Sequence, residues 1–182
     1  QSRSSSERNQ RATSRRDSTC ARPRPCLHPA RVQPGTVVAG RFVVEALAGE
    51  GGMGRVYRAF DRERGQRVAL KLLAEEAHEH AARFAEEARI LADLHHPSVV
   101  RWIAHGEGEH GRRWLALEWL EGEDLAARLT RGALTVEHTL AIGLAASEAL
   151  AVAHSYGVIH RDIKPSNLFL VGGDPHQLKL LD

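Results

Sequence analysis

The sequence predicts an α+β chain in two lobes: five strands with one helix, then a mostly helical part. Three observations carry that expectation. Residues 55–60 alternate, with Val56, Arg58 and Phe60 on one side and Tyr57 and Ala59 on the other, which is strand period. Residues 76–94 are rich in Ala and Glu and stop at His96-Pro97, because the residue before proline avoids helical angles. Thr135 and Glu137 open, and Gly157 closes, a second helix of about 20 residues, with a side-chain cap at one end and a glycine just past the other.

The elements follow in chain order. Residues 1–35 hold eight arginines against Glu7 and Asp17, no aromatic residue, and only Leu27 and Val32 as large aliphatics. Such a stretch cannot offset its ordering entropy and is expected to be a disordered basic arm. Its Cys20, Cys26 and His28 match no common zinc spacing and lack a fourth ligand. No apolar segment of secretory type follows the basic residues. From residue 36 the pattern becomes globular. Val43, Val44, Ala46 and Leu47 read as a strand, 49–54 as a glycine-rich turn and 61–65 as a polar turn. A third strand is expected at 68–73, then the helix over 76–94. Residues 99–104 and 114–120 make a hairpin around the loop 106–111. A short helix is expected at 123–129, then the long helix, a loop over 158–167, and short strands at 168–171 and 178–181.

Composition excludes several classes. Of 182 residues 42 % are apolar and 26 % charged, a globular balance. The longest apolar candidate, 140–153, is interrupted by Glu148, so no membrane segment is expected. Outside the arm, 17 basic side chains face 21 acidic ones, which argues against nucleic acid as a ligand of the folded part. Two cysteines make no disulfide framework, in keeping with a cytoplasmic location. Arginine so outnumbers lysine that Lys71, Lys164 and Lys179 stand where arginine is the rule. Lys71 and Lys164 sit among residues that carry chemistry.

Gly49-Glu50-Gly51-Gly52-Met53-Gly54 matches G-x-G-x-x-G, and so does the segment from Gly106 to Gly111. Context separates them. In a dinucleotide-binding fold the last glycine opens a helix, and neither does so here. The first match lies between strands, where its amides can close over phosphate oxygens. The second places Glu107 and Glu109 where an anion would sit, and reads as an acidic hairpin tip.

Lys71 follows Val68-Ala69-Leu70 inside an apolar strand, where an unpartnered ammonium is costly. On a wheel of about 100° per residue with Phe84 at the origin, Ala88, Leu91 and Leu94 fall within about 80° and Glu87 at about 60°. Glu86 lies near 200°, on the solvent side. Glu87 is thus a carboxylate on the packing stripe that needs a cation, and Lys71 is its expected partner. Such a pair speaks for function more than for stability. The segment 160–167 gathers Asp162, able to accept a hydroxyl proton, Lys164, able to neutralise a moving phosphoryl group, and Asn167, able to bind a divalent cation. Asp182 supplies a second cation ligand.

With these residues in view the chain resembles a eukaryotic-type protein kinase, most closely the bacterial Ser/Thr kinases of that class. The resemblance rests on Gly49-x-Gly51-x-x-Gly54-x-Val56, Val68-Ala69-Leu70-Lys71, Phe84-x-x-Glu87-Ala88, His96-Pro97-Ser98-Val99-Val100, Glu118-Trp119-Leu120-Glu121-Gly122 and His160-Arg161-Asp162 to Asn167, in the family's order. It implies a kinase-like two-lobe fold: an N-lobe with hinge over 36–120 and a partial C-lobe over 121–182. It implies ATP and Mg²⁺ as cofactors and protein Ser/Thr hydroxyls as substrate. By the same resemblance Gly49, Glu50, Gly51, Gly52, Met53 and Gly54 would cover the phosphates, and Lys71, paired to Glu87, would hold two of them. Val56, Ala69 and Phe169 would sandwich the adenine. Leu117 would be the gatekeeper, the backbones of Glu118 and Leu120 would read the adenine edge, and Asp124 would meet the ribose. Asp162 would be the catalytic base, Lys164 would steady the γ-phosphate, and Asn167 and Asp182 would hold Mg²⁺.

Asp182 corresponds to the first residue of the family's Asp-Phe-Gly motif, so the chain is expected to be a fragment with little activity of its own. Leu140, Leu144 and Leu150 are expected to stay partly exposed. Two alternatives stand beside the active kinase. A nucleotide-binding pseudokinase or regulatory module is disfavoured because Lys71, Glu87, Asp162, Asn167 and Asp182 are all present. A small-molecule phosphotransferase of the same fold is disfavoured by the glycine-rich loop and by His160-Arg161.

Overall fold

Period-two burial governs the first half of the chain. Along β3 (Gly54–Asp61) Tyr57 and Ala59 are buried while Arg58 and Phe60 face outward, as the alternation requires. Val68, Leu70 and Leu72 of β4 (Gln66–Leu73) continue the same buried face. The computed structural model describes residues 31–51, 54–73, 94–108 and 111–181. With β1 (Val37–Val38), β2 (Phe42–Gly51), β5 (Trp102–Glu107) and β6 (Arg113–Glu118) these strands form one antiparallel sheet in the order β1-β2-β3-β4-β6-β5. Its core includes Phe42, Tyr57, Leu70, Ile103 and Trp114, and the Phe42 and Trp114 rings meet edge to face at 4.9 Å. The helix expected at 76–94 lies, up to residue 93, outside the described residues.

Polar pairs pin the corners. Asp61, fully buried at the end of β3, accepts from Arg41 Nε at 2.8 Å and from a second Arg41 nitrogen at 2.6 Å, and also from the Glu63 amide at 3.0 Å. This forked contact holds the entry of β2 against the exit of β3. The guanidinium beside it keeps the Asp61 carboxyl below its usual range.

The second sheet is small: β7 (Gly122–Asp124), β8 (Leu168–Val171) and β9 (Leu178–Leu180), antiparallel in that order. Two helices accompany it, α1 (Leu125–Leu129) and α2 (Val136–Ser155). Thr135 caps α2 through its side-chain oxygen, which accepts the His138 amide at 3.1 Å. Ile142 and Ala149 of α2 pack on Leu168, Leu170, Leu178 and Leu180. Val136, Leu140 and Leu144 on its other side are 77 %, 67 % and 63 % exposed, while Leu150 packs against the second core. By length and composition alone α2 is long and apolar enough to cross a membrane, so Glu148 by itself does not exclude it. Its Ile142, Ala149 and Ala153 are nonetheless buried within the fold.

Four local expectations change. The glycine-rich segment is a strand end and a strand start: β2 runs through Gly51 and β3 begins at Gly54, because cross-strand pairing of Glu50 with Arg55 and Gly51 with Gly54 carries the extended backbone through the glycines. The strand expected at 99–104 runs from Trp102 to Glu107, because Val99 bridges in parallel to Leu180 and the Val100 amide bonds the Leu180 carbonyl at 3.0 Å. The helix expected at 123–129 starts at Leu125, since Gly122–Asp124 pairs with β8 and Asp124 becomes the cap. Residues 31–35, read with the arm, dock on the first sheet: the Val32 amide bonds the Tyr57 hydroxyl at 3.1 Å and the Gly35 amide the Val44 carbonyl at 2.8 Å. Of the second G-x-G-x-x-G match, Gly106 and Glu107 lie on β5 and pair with Trp114 and Arg113. A Cβ on Gly106 would lie 2.7 Å from the Trp114 ring, so glycine there answers packing.

Candidate active site

Register places one set of side chains on a single face of the first sheet. Val56 stands opposite Lys71, which stands opposite Leu115, while Ala69 stands opposite Leu117. Val56, Ala69, Lys71 and Leu117 therefore share the face opposite Tyr57, Val68 and Leu70. Lys71 is only 9 % exposed, so both faces of β4 are covered at that point. Its expected partner Glu87 lies outside the described residues, as do Gly52, Met53 and Asp182.

At the turn end of the β2–β3 hairpin, Gly49 and Gly51 have clear space where a side chain would start, which leaves room for a ligand to approach the backbone. Gly54 differs. Its φ is +138°, and a Cβ there would meet the Leu72 carbonyl oxygen at 2.1 Å. Glu50 points its carboxylate to Arg55 at 2.8 Å and to Arg31 at 3.0 Å. Those two guanidinium groups, Arg55 first, hold the Glu50 carboxyl below its usual range.

The edge beyond β6 joins the two sheets. The Glu118 amide bonds the Arg101 carbonyl at 2.9 Å, and the Glu118 carboxylate accepts the Arg101 amide at 2.8 Å. The same carboxylate pairs with Lys179 Nζ at 2.7 Å, and Lys179 also donates to the Val99 carbonyl at 3.2 Å. Sequence reasoning gives Glu118 a backbone role only and gives Lys179 none. The one available signal was that Lys179 is a lysine in an arginine-using chain. A cavity of about 300 Å³ lies beside this bridge, lined by Leu94, Pro97, Arg101 and Glu118 among others.

Phe169 sits on β8 between Asp124 and Lys179 in register, on the face opposite the buried Leu168 and Leu170. Asp124 Oδ1 accepts the Ala127 amide at 2.8 Å, so this carboxylate caps α1 and has its other oxygen to offer elsewhere.

The segment 160–167 folds around one carboxylate. Lys164 Nζ donates to Asp162 Oδ2 at 2.7 Å, and Asn167 Nδ2 donates to the same oxygen at 3.0 Å and to the Asp162 carbonyl at 2.9 Å. The Asp162 carboxyl is held below its usual range, first by the Lys164 hydrogen bond and then by Asn167, with partial burial opposing. His160 is the post behind it. Its Nδ1 accepts the Asp162 amide at 3.3 Å, so the ring proton belongs on Nε2, which meets the Leu181 carbonyl at 2.8 Å. Between them Arg161 takes φ +62°, an unusual left-handed conformation for an arginine, as the chain turns to present Asp162. The Asn167 carbonyl accepts the Leu181 amide at 2.9 Å, which fixes the chain just before residue 182 beside the loop.

The residues present suit a magnesium nucleotide. Asn167 spends its amide nitrogen on Asp162 and keeps its side-chain oxygen, the hard donor that Mg²⁺ prefers, and the glycine backbone is open to phosphate.

The family model described as protein kinase domain matches residues 42–182. The chain is 40 % identical over 151 residues to serine/threonine-protein kinase pkn2 of Myxococcus xanthus, covering 80 % of this chain and 18 % of that protein. It is 36 % identical over 156 residues to PknA of Mycobacterium tuberculosis, covering 81 % of this chain and 36 % of that one. The crystal structure of the M. tuberculosis PknI kinase domain superposes with a TM-score of 0.75 at 30 % identity, over 84 % of this chain and 62 % of that one. The chain thus spans a fifth to about a third of these curated relatives, and less than two thirds of the solved domain. Because the family model covers residues 42–182, most of its length, this chain belongs to the protein kinase domain family.

Proposed function

We propose that the protein of which this chain is the whole or a part transfers the γ-phosphoryl group of ATP to Ser or Thr hydroxyls of proteins. The observation that carries the proposal is the convergence of Lys164 and Asn167 on one oxygen of Asp162, in a loop braced by His160 on Leu181. Phosphoryl transfer asks the protein for positioning and charge rather than covalent chemistry, and this cluster offers both. Asp162, ionised and with Oδ2 occupied by its two donors, uses Oδ1 to accept the hydroxyl proton and aim the oxygen. A carboxyl this acidic is a poor base in the ground state, so orientation is the larger share of its work. Lys164 sits one hydrogen bond from that oxygen, where a cation offsets charge on the moving group.

Magnesium ATP, when bound, supplies the phosphoryl group and part of the neutralising charge. The backbone of Gly49, Glu50, Gly51, Gly52, Met53 and Gly54 would cover the phosphates, and Lys71 would hold two of them with Glu87 as its counter-ion. Val56, Ala69, Leu117 and Phe169 would wall the base, the main chain at Glu118 and Leu120 would read its edge, and the second oxygen of Asp124 would take a ribose hydroxyl. Asn167 and Asp182 would hold the metal.

The test is a thermal melt of the 182-residue chain with and without Mg²⁺-ATP. A ligand that binds only the folded state must raise the midpoint, by about 2.7 kcal/mol of stability at a hundred times its Kd. A cooperative melt that shifts upward supports the nucleotide site. A cooperative melt indifferent to millimolar Mg²⁺-ATP refutes it.

A further inference from the structure

The segment that leads into the first sheet ends against the root of the glycine hairpin. Val32 is anchored by its amide on the Tyr57 hydroxyl and packs against the first core, and Gly35 and Thr36 bond Val44 from either side. This docking delivers the Arg31 guanidinium to Glu50 Oε2 at 3.0 Å, while Arg55 holds Oε1 at 2.9 Å through Nε and 2.8 Å through a terminal nitrogen. Glu50 and Arg55 are cross-strand partners one pair before Gly51 and Gly54. The carboxylate is thereby gripped on both oxygens, from within the hairpin and from outside it.

We propose that Arg31 is a positioning residue for nucleotide binding: by fixing Glu50, and through it the Glu50–Arg55 pair, it holds the glycine hairpin in the conformation that receives the triphosphate. The inference rests on the nucleotide reading above. It assigns a purpose to a residue outside every motif of the family pattern. An exposed ion pair is a weak spring, so the effect is modest and specific to the phosphates.

Isothermal titration of the 182-residue chain with Mg²⁺-ATP and separately with adenosine distinguishes positioning from general weakening. Arg31→Gln should raise the Kd for ATP about threefold and leave that for adenosine unchanged, since adenosine has no phosphates for the hairpin to cover. Arg31→Lys should fall between. Placed on a Glu50→Gln background, Arg31→Gln should have no further effect on ATP, because the group it acts through is gone. An unchanged ATP Kd in Arg31→Gln, or equal losses for ATP and adenosine, overturns the inference alone. A wild-type chain that binds neither ligand overturns the nucleotide reading, and the inference falls with it.

Discussion

Asp162→Asn is the substitution that separates binding from chemistry. The change is isosteric and removes one negative charge from an oxygen that takes Lys164 at 2.7 Å and Asn167 at 3.0 Å. Both side chains of the Asp162–Lys164 pair are about half exposed, at 46 % and 50 %, so water screens what is lost and the fold should barely respond. A melting midpoint within about 3 °C of wild type is expected. Turnover is another matter. An amide neither accepts the hydroxyl proton nor orients the hydroxyl as strongly, and a positioned acid–base group is worth about 10²–10⁴ in rate. The expected result, in the full gene product, is a kcat lower by that factor with the Kd for ATP within about twofold. The pH dependence supplies a second reading. A carboxyl held low is ionised, and its contribution present, above the ordinary carboxylate range; that contribution is lost only as pH falls through the depressed folded value. Turnover should therefore show no Asp162 limb near neutrality. In Lys164→Met, which removes the principal cause of the depression, the acid limb should move to higher pH. Quench-flow phosphoryl transfer and nucleotide titration read both quantities. Parallel losses in kcat and ATP affinity, or a kcat within tenfold of wild type, would refute the role.

Three further outcomes are expected. Lys71→Met should raise the Kd for ATP about 10- to 100-fold, the worth of a charge-assisted contact to phosphate, and unchanged nucleotide titration would remove Lys71 from the site. Asp61→Ala should cost about 3 kcal/mol in urea unfolding at pH 7, because it strips the anion from a forked pair with a nearly buried Arg41. Asp61 is depressed, so its stabilisation is full above the ordinary carboxylate range and lost as pH falls below it; wild type should lose more stability than Asp61→Ala between about pH 5 and 2, and equal losses would contradict the assignment. Lys179→Met should lower the melting midpoint by about 3 °C, with Glu118→Gln adding little more, since each removes the same partly buried bridge; full additivity would mean the pair is not coupled.

What could be read from the sequence is what is decided locally. The alternation along 55–60 is a statement about neighbours two residues apart, and β3 obeys it. Thr135 needs only its own side chain and the next turn to cap α2. Asp162, Lys164 and Asn167 lie within six residues, so their meeting on one oxygen follows from a tight loop. Most of the errors come from partners far along the chain. Val99 and Val100 look like the start of a strand because they are apolar and β-branched, but their partner is Leu180, and nothing within a short window says which of two sheets will claim them. Gly122-Glu123-Asp124 is equally consistent with a helical first turn until β8 returns to pair with it. Lys179 illustrates the same limit at the site: its ammonium matters because folding brings it to Glu118, 61 residues away, and no spacing rule encodes that approach. Arg31 is the sharpest case. Composition places it in the arm, since 1–35 as a block is basic and poor in apolar residues. A block average hides a single valine. Val32 supplies the contact with the core, and that contact carries the neighbouring guanidinium to Glu50. Among the described residues Val32 is the first side chain to find a place against the core, and the residue just before it carries its guanidinium to Glu50.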